Sequence, residues 1–199
     1  SLDEGFLVIQ VLPSDSEQFV FSEKDQSIYF VRNKDKPAIY RLSLHIDASD
    51  IPPQKILDEL LVPAGEIITS FLIKGATVYY LTGLPTCHEY KGNCTTELRM
   101  QDLGGGNARL VASDLERSSV VGLSPDSSTI LLATHFGDGG CWSSTYDKVL
   151  LVGGVVTSAG TFSGCHDDAG TMQDPAEERG RRELVAQYDV PDPTTTWGL

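Results

Sequence analysis

The segments Ile28-Tyr29-Phe30-Val31, Val78-Tyr79-Tyr80-Leu81 and Ile130-Leu131-Leu132-Ala133 occupy equivalent places in one repeated pattern. Their first residues are separated by 50 positions (78−28) and 52 positions (130−78). Each segment follows a turn-prone stretch and precedes a polar excursion and a further strand-like run. A period of this length is typical of propeller blades and solenoid repeats, which bury their apolar faces against neighbouring repeats.

The apolar segments along the chain are strand-sized, and helical periodicity is almost absent. The sequence therefore predicts an all-β protein made of propeller-like blades of antiparallel sheet. We expect blade-like units at about residues 18–62, 66–115 and 119–165, and an irregular C-terminal segment at 166–199. These units form one propeller-like domain or a fragment of a propeller.

Seven large side chains fall at positions that we expect to face the core between blades. They are Phe21, Phe30, Tyr40, Phe71, Tyr80, Leu123 and Leu132.

The pattern becomes weaker toward the C-terminus. A polar loop is expected before a strand at Lys148–Val152, and Val155-Val156 with Thr161-Phe162 indicates one further strand or hairpin. Pro175–Arg179 is compatible with a single helical turn, and Glu183–Val190 resembles a last strand that ends before Pro191.

The formal net charge of −13 limits the classes of partner. A negative field repels phosphate backbones and anionic membrane surfaces, so nucleic-acid binding is not expected. The longest apolar runs, such as Val149–Val152, are too short to cross a bilayer as a helix, so membrane insertion is not expected. The acidity serves solubility, or else it attracts cationic partners or calcium.

The four cysteines, Cys87, Cys94, Cys141 and Cys165, form an even set. Three connectivities are possible, and we favour Cys87–Cys94 with Cys141–Cys165 because both pairings are local. Disulfides point to an oxidising location, which is the periplasm, the cell surface or the secreted space.

Residue patterns for catalysis and for cofactor or metal binding are weak. The chain has no Gly-x-Ser-x-Gly elbow and no phosphate-binding loop, so we predict no catalytic residues and no cofactor. Cys87-His88 and Cys165-His166 would suit zinc only if reduced and gathered in space, and Cys-x-x-Cys spacing is missing. The acidic turns beside Gly139 and Ala169 lack the spacing of a calcium loop, so no metal site is predicted.

Trp142, His135 and Asp138 are the candidate residues for an interface with a partner. They lie close together in sequence around Cys141, in a stretch expected to form a loop. Aromatic side chains at loop tips serve as interface anchors, although Trp142 would also suit a buried position.

Two stretches resemble the repeats of TolB-type, WD40-like β-propellers: Ala38–Leu44 and Val121–Leu132, which includes the turn Ser124-Pro125-Asp126. In that turn Pro125 fixes φ, and we expect Asp126 to accept hydrogen bonds from the following amides. The resemblance covers roughly residues 18–152. It implies blades but carries no catalytic residue.

Propellers usually close with 4–8 blades, whereas this sequence supplies about three. Three alternatives follow: the segments 1–12 and 155–190 complete an irregular fourth blade, the chain belongs to a larger propeller, or the strands form an open sandwich. We expect Phe6–Leu12 to be a closing strand, because its continuous apolar run suits burial on both faces.

Two functions compete at this stage. The first is a non-catalytic, extracytoplasmic binding or scaffold module that presents its loops to a protein or peptide. The alternative is the propeller portion that gates a larger serine peptidase or hydrolase, whose catalytic domain would be absent from these residues. In either case, further blades or another chain would complete the sheet.

Overall fold

A computed structural model describes residues 17–22, 26–34, 37–43, 54–57, 62–88, 94–103, 106–116, 118–138, 141–165 and 175–190. Within these ranges the strands form three four-stranded antiparallel sheets. The prediction of an all-β fold is therefore confirmed. Sheet 1 contains β1 (Glu17–Ser22), β2 (Ser27–Arg32), β3 (Ala38–Ser43) and β4 (Gln54–Leu57). Sheet 2 contains β5 (Ile67–Lys74), β6 (Thr77–Gly83), β7 (Thr95–Asp102) and β8 (Gly106–Glu116). Sheet 3 contains β9 (Ser119–Leu123), β10 (Thr129–Asp138), β11 (Cys141–Leu150) and β12 (Val156–Cys165), and the helices are α1 (Pro85–His88) and α2 (Pro175–Val185).

Each sheet is a simple meander, in which neighbouring strands follow one another in sequence. The first strands of the sheets lie side by side, with β1 against β5 and β5 against β9. This arrangement is that of consecutive propeller blades, and it agrees with the propeller-like fold predicted from the repeats.

Both faces of sheet 2 are buried. Phe71 and Tyr80 point toward sheet 1, whereas Leu72, Tyr79 and Leu81 pack with residues of sheet 3. Successive residues of a strand point to opposite faces, so one apolar run supplies both interfaces. Burying a side chain of this size contributes about 1.5–3 kcal/mol.

The predicted core positions have different outcomes. Phe71 and Tyr80 lie between sheets 1 and 2, and Leu123 and Leu132 lie between sheets 2 and 3, as expected. The other three residues, Phe21, Phe30 and Tyr40, are not part of the clusters between the sheets.

Phe30 and Tyr40 do not lie between sheets 1 and 2. Val31 and Ile39 face sheet 2, so the adjacent Phe30 and Tyr40 point to the other face of sheet 1. There the two rings stack with centroids 5.5 Å apart, and Phe30 is 0% exposed. Phe21 is half-buried and lines a cavity.

Polar side chains connect sheets 1 and 2 to the first strand of the sheet that follows each. The Asn33 amide donates to the carbonyl of Ile68 and accepts from its N–H, both at 3.0 Å. The Ser70 hydroxyl accepts a hydrogen bond from the Val120 N–H at 3.0 Å. These contacts satisfy backbone groups at strand edges that would otherwise need water.

The turn at Ser124-Pro125-Asp126 has the chemistry that the sequence predicted. One Asp126 carboxylate oxygen accepts from the Ser124 hydroxyl at 2.6 Å and from the Ser128 N–H at 3.0 Å. The Ser124 hydrogen bond and those from Ser128 lower the pKa of Asp126 to about 2. The side chain therefore stays ionised over the physiological range.

The prediction of a loop before Lys148 is wrong, because most of these residues belong to strands β10 and β11 of sheet 3. β10 continues to Asp138, and β11 begins at Cys141 and ends at Leu150. The segment Cys141–Tyr146 is polar, but it pairs with β10 on one side and with β12 on the other. Its Trp, Thr and Tyr residues fit a strand in such a position.

The C-terminal segment contradicts the prediction of a last strand at Glu183–Val190. Residues Pro175–Val185 form α2, with Pro175 at its start and Glu177 and Glu178 in its first turn. These residue types favour a helix N-terminus. After α2, Asp189 makes one antiparallel bridge with Leu123 of β9.

Helix α2 covers the face of sheet 3 that points away from sheet 2. Leu184 and Tyr188 pack on Leu131, Ala133 and Tyr146. A Cβ at Gly122 would lie 2.7 Å from the Asp189 carbonyl oxygen, so glycine permits the close approach of the segment that follows α2. No helix in the described part of the chain has the length and apolarity needed to span a membrane.

Candidate functional site

The connections between strands lie at two ends of the sheets. One end, here called the loop face, carries the β6–β7, β8–β9 and β10–β11 connections and the start of α2. The other end, here called the turn face, carries the β5–β6, β9–β10 and β11–β12 turns. The longest connection between strands, β6–β7 at residues 84–94, belongs to the loop face, and connecting segments often carry binding residues.

One disulfide joins β11 and β12 at the loop face of sheet 3. Cys141 opens β11 and Cys165 closes β12, and they are bonded directly across the strand pair with Cα atoms 4.0 Å apart. The predicted Cys141–Cys165 pairing is therefore confirmed. The bridge fixes the ends of both strands beside the β10–β11 connection.

The second predicted pairing is only partly described. Cys94, just before β7, is disulfide-bonded. The side chain of Cys87 lies outside the described part of the structure, so Cys87–Cys94 stays a prediction.

His135 and Trp142 lie on the face of sheet 3 that α2 covers. The Nδ1 of His135 lies 2.7 Å from the Ser144 hydroxyl, and its ring meets Tyr146 edge-on at 6.3 Å. The guanidinium of Arg181, from α2, lies over the Trp142 ring at 5.9 Å. Trp142 therefore contacts the protein's own helix, and His135 lies on the same covered face of the sheet.

A charged pair on α2 faces this cluster. Arg181 forms a two-pronged hydrogen bond with Glu178, at 2.8 and 2.7 Å, and Arg182 also donates to Glu178. The Arg181 hydrogen bond is the main reason why the pKa of Glu178 falls to about 2. Glu178 in turn raises the pKa of Arg181 above its ordinary value.

Burial lowers the pKa of His135, and the nearby Arg181 charge lowers it further. His135 is therefore neutral at physiological pH and interacts with Ser144 and Tyr146 as an uncharged ring. Ser144 is only 3% exposed. Because a nucleophile must reach its substrate, this histidine–serine pair supports the sheet and does not form a catalytic dyad.

The structure describes only the backbone of Asp138, which pairs with Cys141 across the β10–β11 connection. The role of Asp138, His135 and Trp142 in a partner interface remains a prediction. Among the described residues, no group of three His, Cys, Asp or Glu side chains is placed to hold a metal.

The structure also places a polar stripe inside the interface between sheets 1 and 2, which the sequence interpretation missed. Arg99 and Gln101, on β7, are buried, and the Tyr80 hydroxyl donates to Gln101 at 3.3 Å. Arg99 also pairs with Glu97. The alternation of Glu97, Arg99 and Gln101 with Leu98 and Met100 was the available signal.

Exposed apolar side chains identify the accessible part of the loop face. Leu84 follows β6, and Phe136 lies near the end of β10; each is 54% exposed. Phe136 follows His135 directly, so it points to the opposite face of the strand from His135. Sequence reasoning chose the covered neighbour and missed the exposed aromatic residue.

Comparisons with known proteins give similarity of shape only. The chain is similar to TolB from Acinetobacter baumannii, with 18% identity and a TM-score of 0.47, over 80% of this chain and 37% of that one. It is also similar to a putative TolB from Agrobacterium tumefaciens, with 18% identity and a TM-score of 0.46, over 79% of this chain and 56% of that one. A putative 6-phosphogluconolactonase from Bacteroides uniformis is similar with 14% identity and a TM-score of 0.44, over 81% of this chain and 54% of that one.

The chain thus spans between about a third and about half of the length of these structures. No family model and no curated protein matches the sequence.

Proposed function

We propose that this chain is a non-catalytic, extracytoplasmic module that binds a protein or peptide on its loop face. The observation that carries the proposal is the exposure of Leu84 and Phe136 on the loop face of two neighbouring sheets. An aromatic side chain that is exposed on an ordered scaffold, as Phe136 is, can serve as an interface anchor.

The disulfides support this proposal in two ways. The Cys141–Cys165 bridge and the bonded Cys94 lie at the same end of the sheets as the two anchors. Fixed connections reduce the conformational entropy lost on binding, which favours affinity. Disulfides also persist mainly outside the reducing cytoplasm, which supports the extracytoplasmic location.

The net charge of −13 indicates the chemistry of the partner. A long-range negative field speeds the approach of cationic partners and repels anionic ones. We therefore expect a ligand that combines basic residues with one or two apolar side chains. Nothing among the described residues favours the alternative, a gate for a hydrolase domain.

The experiment is a selection from a displayed library of random peptides against the oxidised protein. Peptides that also bind a Leu84→Asp, Phe136→Asp double variant are removed by counter-selection. We expect basic peptides with apolar anchors, whose dissociation constants, measured by calorimetry, rise at least about tenfold in the single Phe136→Ser variant.

The matched control is Val152→Ser, which removes an exposed apolar side chain from the turn face. This variant should bind the selected peptides as the wild type does. Peptides that bind the double variant as tightly as the wild type would contradict the proposal, and so would a selection that returns only acidic peptides.

A further inference from the structure

Three buried polar atoms without a hydrogen-bond partner lie in neighbouring segments of sheet 2. They are one carboxylate oxygen of Glu66, the hydroxyl of Thr82 and the Nε of Arg99, and they are three of the four such side-chain atoms in the described part of the chain. Buried polar groups are nearly always hydrogen-bonded, because an unmade bond leaves the full cost of desolvating the group. A cluster of unpartnered atoms therefore indicates a place where a ligand supplies the missing bonds.

The strand register brings these residues together. Thr82, on β6, pairs with Ile68 of β5 on one side and with Glu97 of β7 on the other. Arg99 lies two residues after Glu97, so it is a diagonal neighbour of Thr82 and is within reach of it through a long side chain. Glu66 directly precedes β5, two residues before Ile68. The three atoms thus belong to adjacent segments toward the loop-face end of sheet 2.

The side chains of Thr82 and Arg99 point into the interface between sheets 1 and 2. Val78 and Tyr80 of β6 pack in that interface, and Thr82 follows them at the same spacing of two residues. Thr82 is 0% exposed and Arg99 is 9% exposed, whereas the side chain of Glu97 is 31% exposed. The site is therefore buried at Thr82 and borders solvent at Glu97.

The charges around these atoms select the kind of ligand. Arg99 pairs with Glu97, and Glu66 adds a second carboxylate. An anionic ligand would accept from Arg99 and Thr82, but both carboxylates would repel it. A cationic ligand would donate to Glu66, but it would meet the guanidinium and would leave the Arg99 Nε–H without an acceptor.

A neutral group that both donates and accepts hydrogen bonds satisfies all three atoms. The oxygen of a carboxamide accepts from the Arg99 Nε–H and from the Thr82 hydroxyl, and its N–H donates to the Glu66 carboxylate. Such a group brings no net charge into the interface, so its desolvation costs much less than that of an ion. A water molecule has the same chemistry on a single atom.

We propose that Glu66, Thr82 and Arg99 form a binding site for a neutral hydrogen-bonding group, the carboxamide of an asparagine or glutamine side chain. Leu84, two residues after Thr82, is 54% exposed at the same end of sheet 2. If the loop face binds a peptide as proposed above, an asparagine or glutamine near the residue that contacts Leu84 occupies this site. The site itself does not depend on that function.

The test uses three small probes of one shape: acetamide, which is neutral, acetate, which is an anion, and acetamidinium, which is a cation. Each is titrated into the oxidised protein at constant ionic strength, and the side-chain signals of Thr82 and Arg99 are followed by nuclear magnetic resonance. We expect saturable shifts with acetamide and a dissociation constant of about 1–10 mM, as suits a ligand of so few atoms. Acetate and acetamidinium should bind at least about tenfold more weakly.

Three variants locate the site. Thr82→Val removes the hydroxyl but keeps the shape of the side chain, so it should weaken acetamide binding about threefold or more. Thr82→Ser keeps the hydroxyl and should bind acetamide as the wild type does. Thr96→Val is the matched control, because the Thr96 hydroxyl is also buried and unpartnered but lies on the side of Leu98, which packs toward sheet 3. This control should leave acetamide binding unchanged.

Three results would overturn the proposal. Tighter binding of acetate or acetamidinium than of acetamide would show that the site takes an ion. Shifts that are absent, or that do not saturate, would show that only ordered water occupies it. Equal binding of acetamide by the wild type and by Thr82→Val would place the probe elsewhere. Because no peptide is used, each of these results can occur whether or not the loop face binds a peptide.

Discussion

At the scale of single residues, the local environment of His135 makes the stability of sheet 3 depend on pH. The groups that face His135 are Ser144 and Tyr146 from β11 and Arg181 from α2. Arg181 is paired with Glu178, which Arg182 also contacts. A proton on His135 would therefore add a cation beside a guanidinium in a partly desolvated site.

We predict that stability falls as the pH decreases below about 6.5, the ordinary histidine value. The pKa of His135 is lowered in the folded protein, so the unfolded chain binds the proton first and protonation favours unfolding. The stabilisation is complete above pH 6.5 and is lost as the pH falls through the folded pKa.

The measurement is the melting temperature between pH 8 and pH 5 for the wild type and for His135→Asn, which keeps a hydrogen-bonding group for Ser144. We expect the two curves to separate below pH 6.5, with the wild type losing more. The other histidines cancel in this difference. Parallel curves would show that His135 does not titrate in this range. Asp126 and Glu178 each have a pKa of about 2, so they contribute only in stronger acid.

Several residue-level features followed from the sequence, and others required the fold. The Asp126 turn and the Cys141–Cys165 bridge depend on local chemistry, and both were predicted. The exposure of Phe136 was not, because it depends on which face of β10 meets sheet 2. A shift of one residue in strand phase exchanges the two faces of a strand.

At the scale of elements, the unexpected feature is that α2 takes the position on sheet 3 that a further sheet would occupy. The first and second sheets are each covered by the next sheet, whereas the outer face of the third is covered by a helix. The bridge between Asp189 and Leu123 then pairs one residue with the free edge of β9. Helix α2 thus ends the series of sheets in the described part of the chain.

We predict that Leu184→Ala destabilises the protein by about 2–5 kcal/mol, the range for large-to-small changes in a core. Leu184 is 7% exposed and packs against sheet 3. Denaturant unfolding followed by circular dichroism gives the free energy. Glu183→Ala, at the exposed neighbouring position, is the control and should change stability by less than about 0.5 kcal/mol. Equal effects in the two variants would show that α2 is not held by this face.

The sequence predicted only one possible helical turn of α2, at Pro175–Arg179, because Leu184 and Val185 at the end of the helix also suit a strand. In the structure, Leu184 at the end of α2 and Tyr188, which follows the helix, pack on the same face of sheet 3. The contact that selects the helix is tertiary, so local propensity was insufficient. The same holds for the polar start of β11, which is a strand because it has neighbours on both sides.

At the scale of the whole molecule, sheet 1 has a buried face that no described sheet covers. Phe30, Ala38 and Leu42 are at most 4% exposed on the side that points away from sheet 2. The sequence predicted Phe6–Leu12, which lies outside the described residues, as a closing strand, and we propose that this segment contributes to the cover of this face. Its apolar run suits such a position.

Deleting residues 1–12 should therefore expose this face and produce aggregation or loss of cooperative unfolding. Light scattering and thermal unfolding of the deletion variant provide the measurement. Deletion of residues 191–199 is the control for a change in chain length. A deletion variant that is as soluble and as stable as the wild type would show that another segment covers sheet 1.

The central claim is that the loop face binds a protein or peptide, and hydrogen–deuterium exchange with a selected peptide tests it most directly. The peptide should slow exchange of the amides after Leu84 and around Phe136 and Cys141, and leave the turns at Gly75 and Val152 unchanged. The Leu84→Asp, Phe136→Asp variant should show no protection at the same peptide concentration. Protection confined to the turn face, or protection that persists in the double variant, would contradict the account.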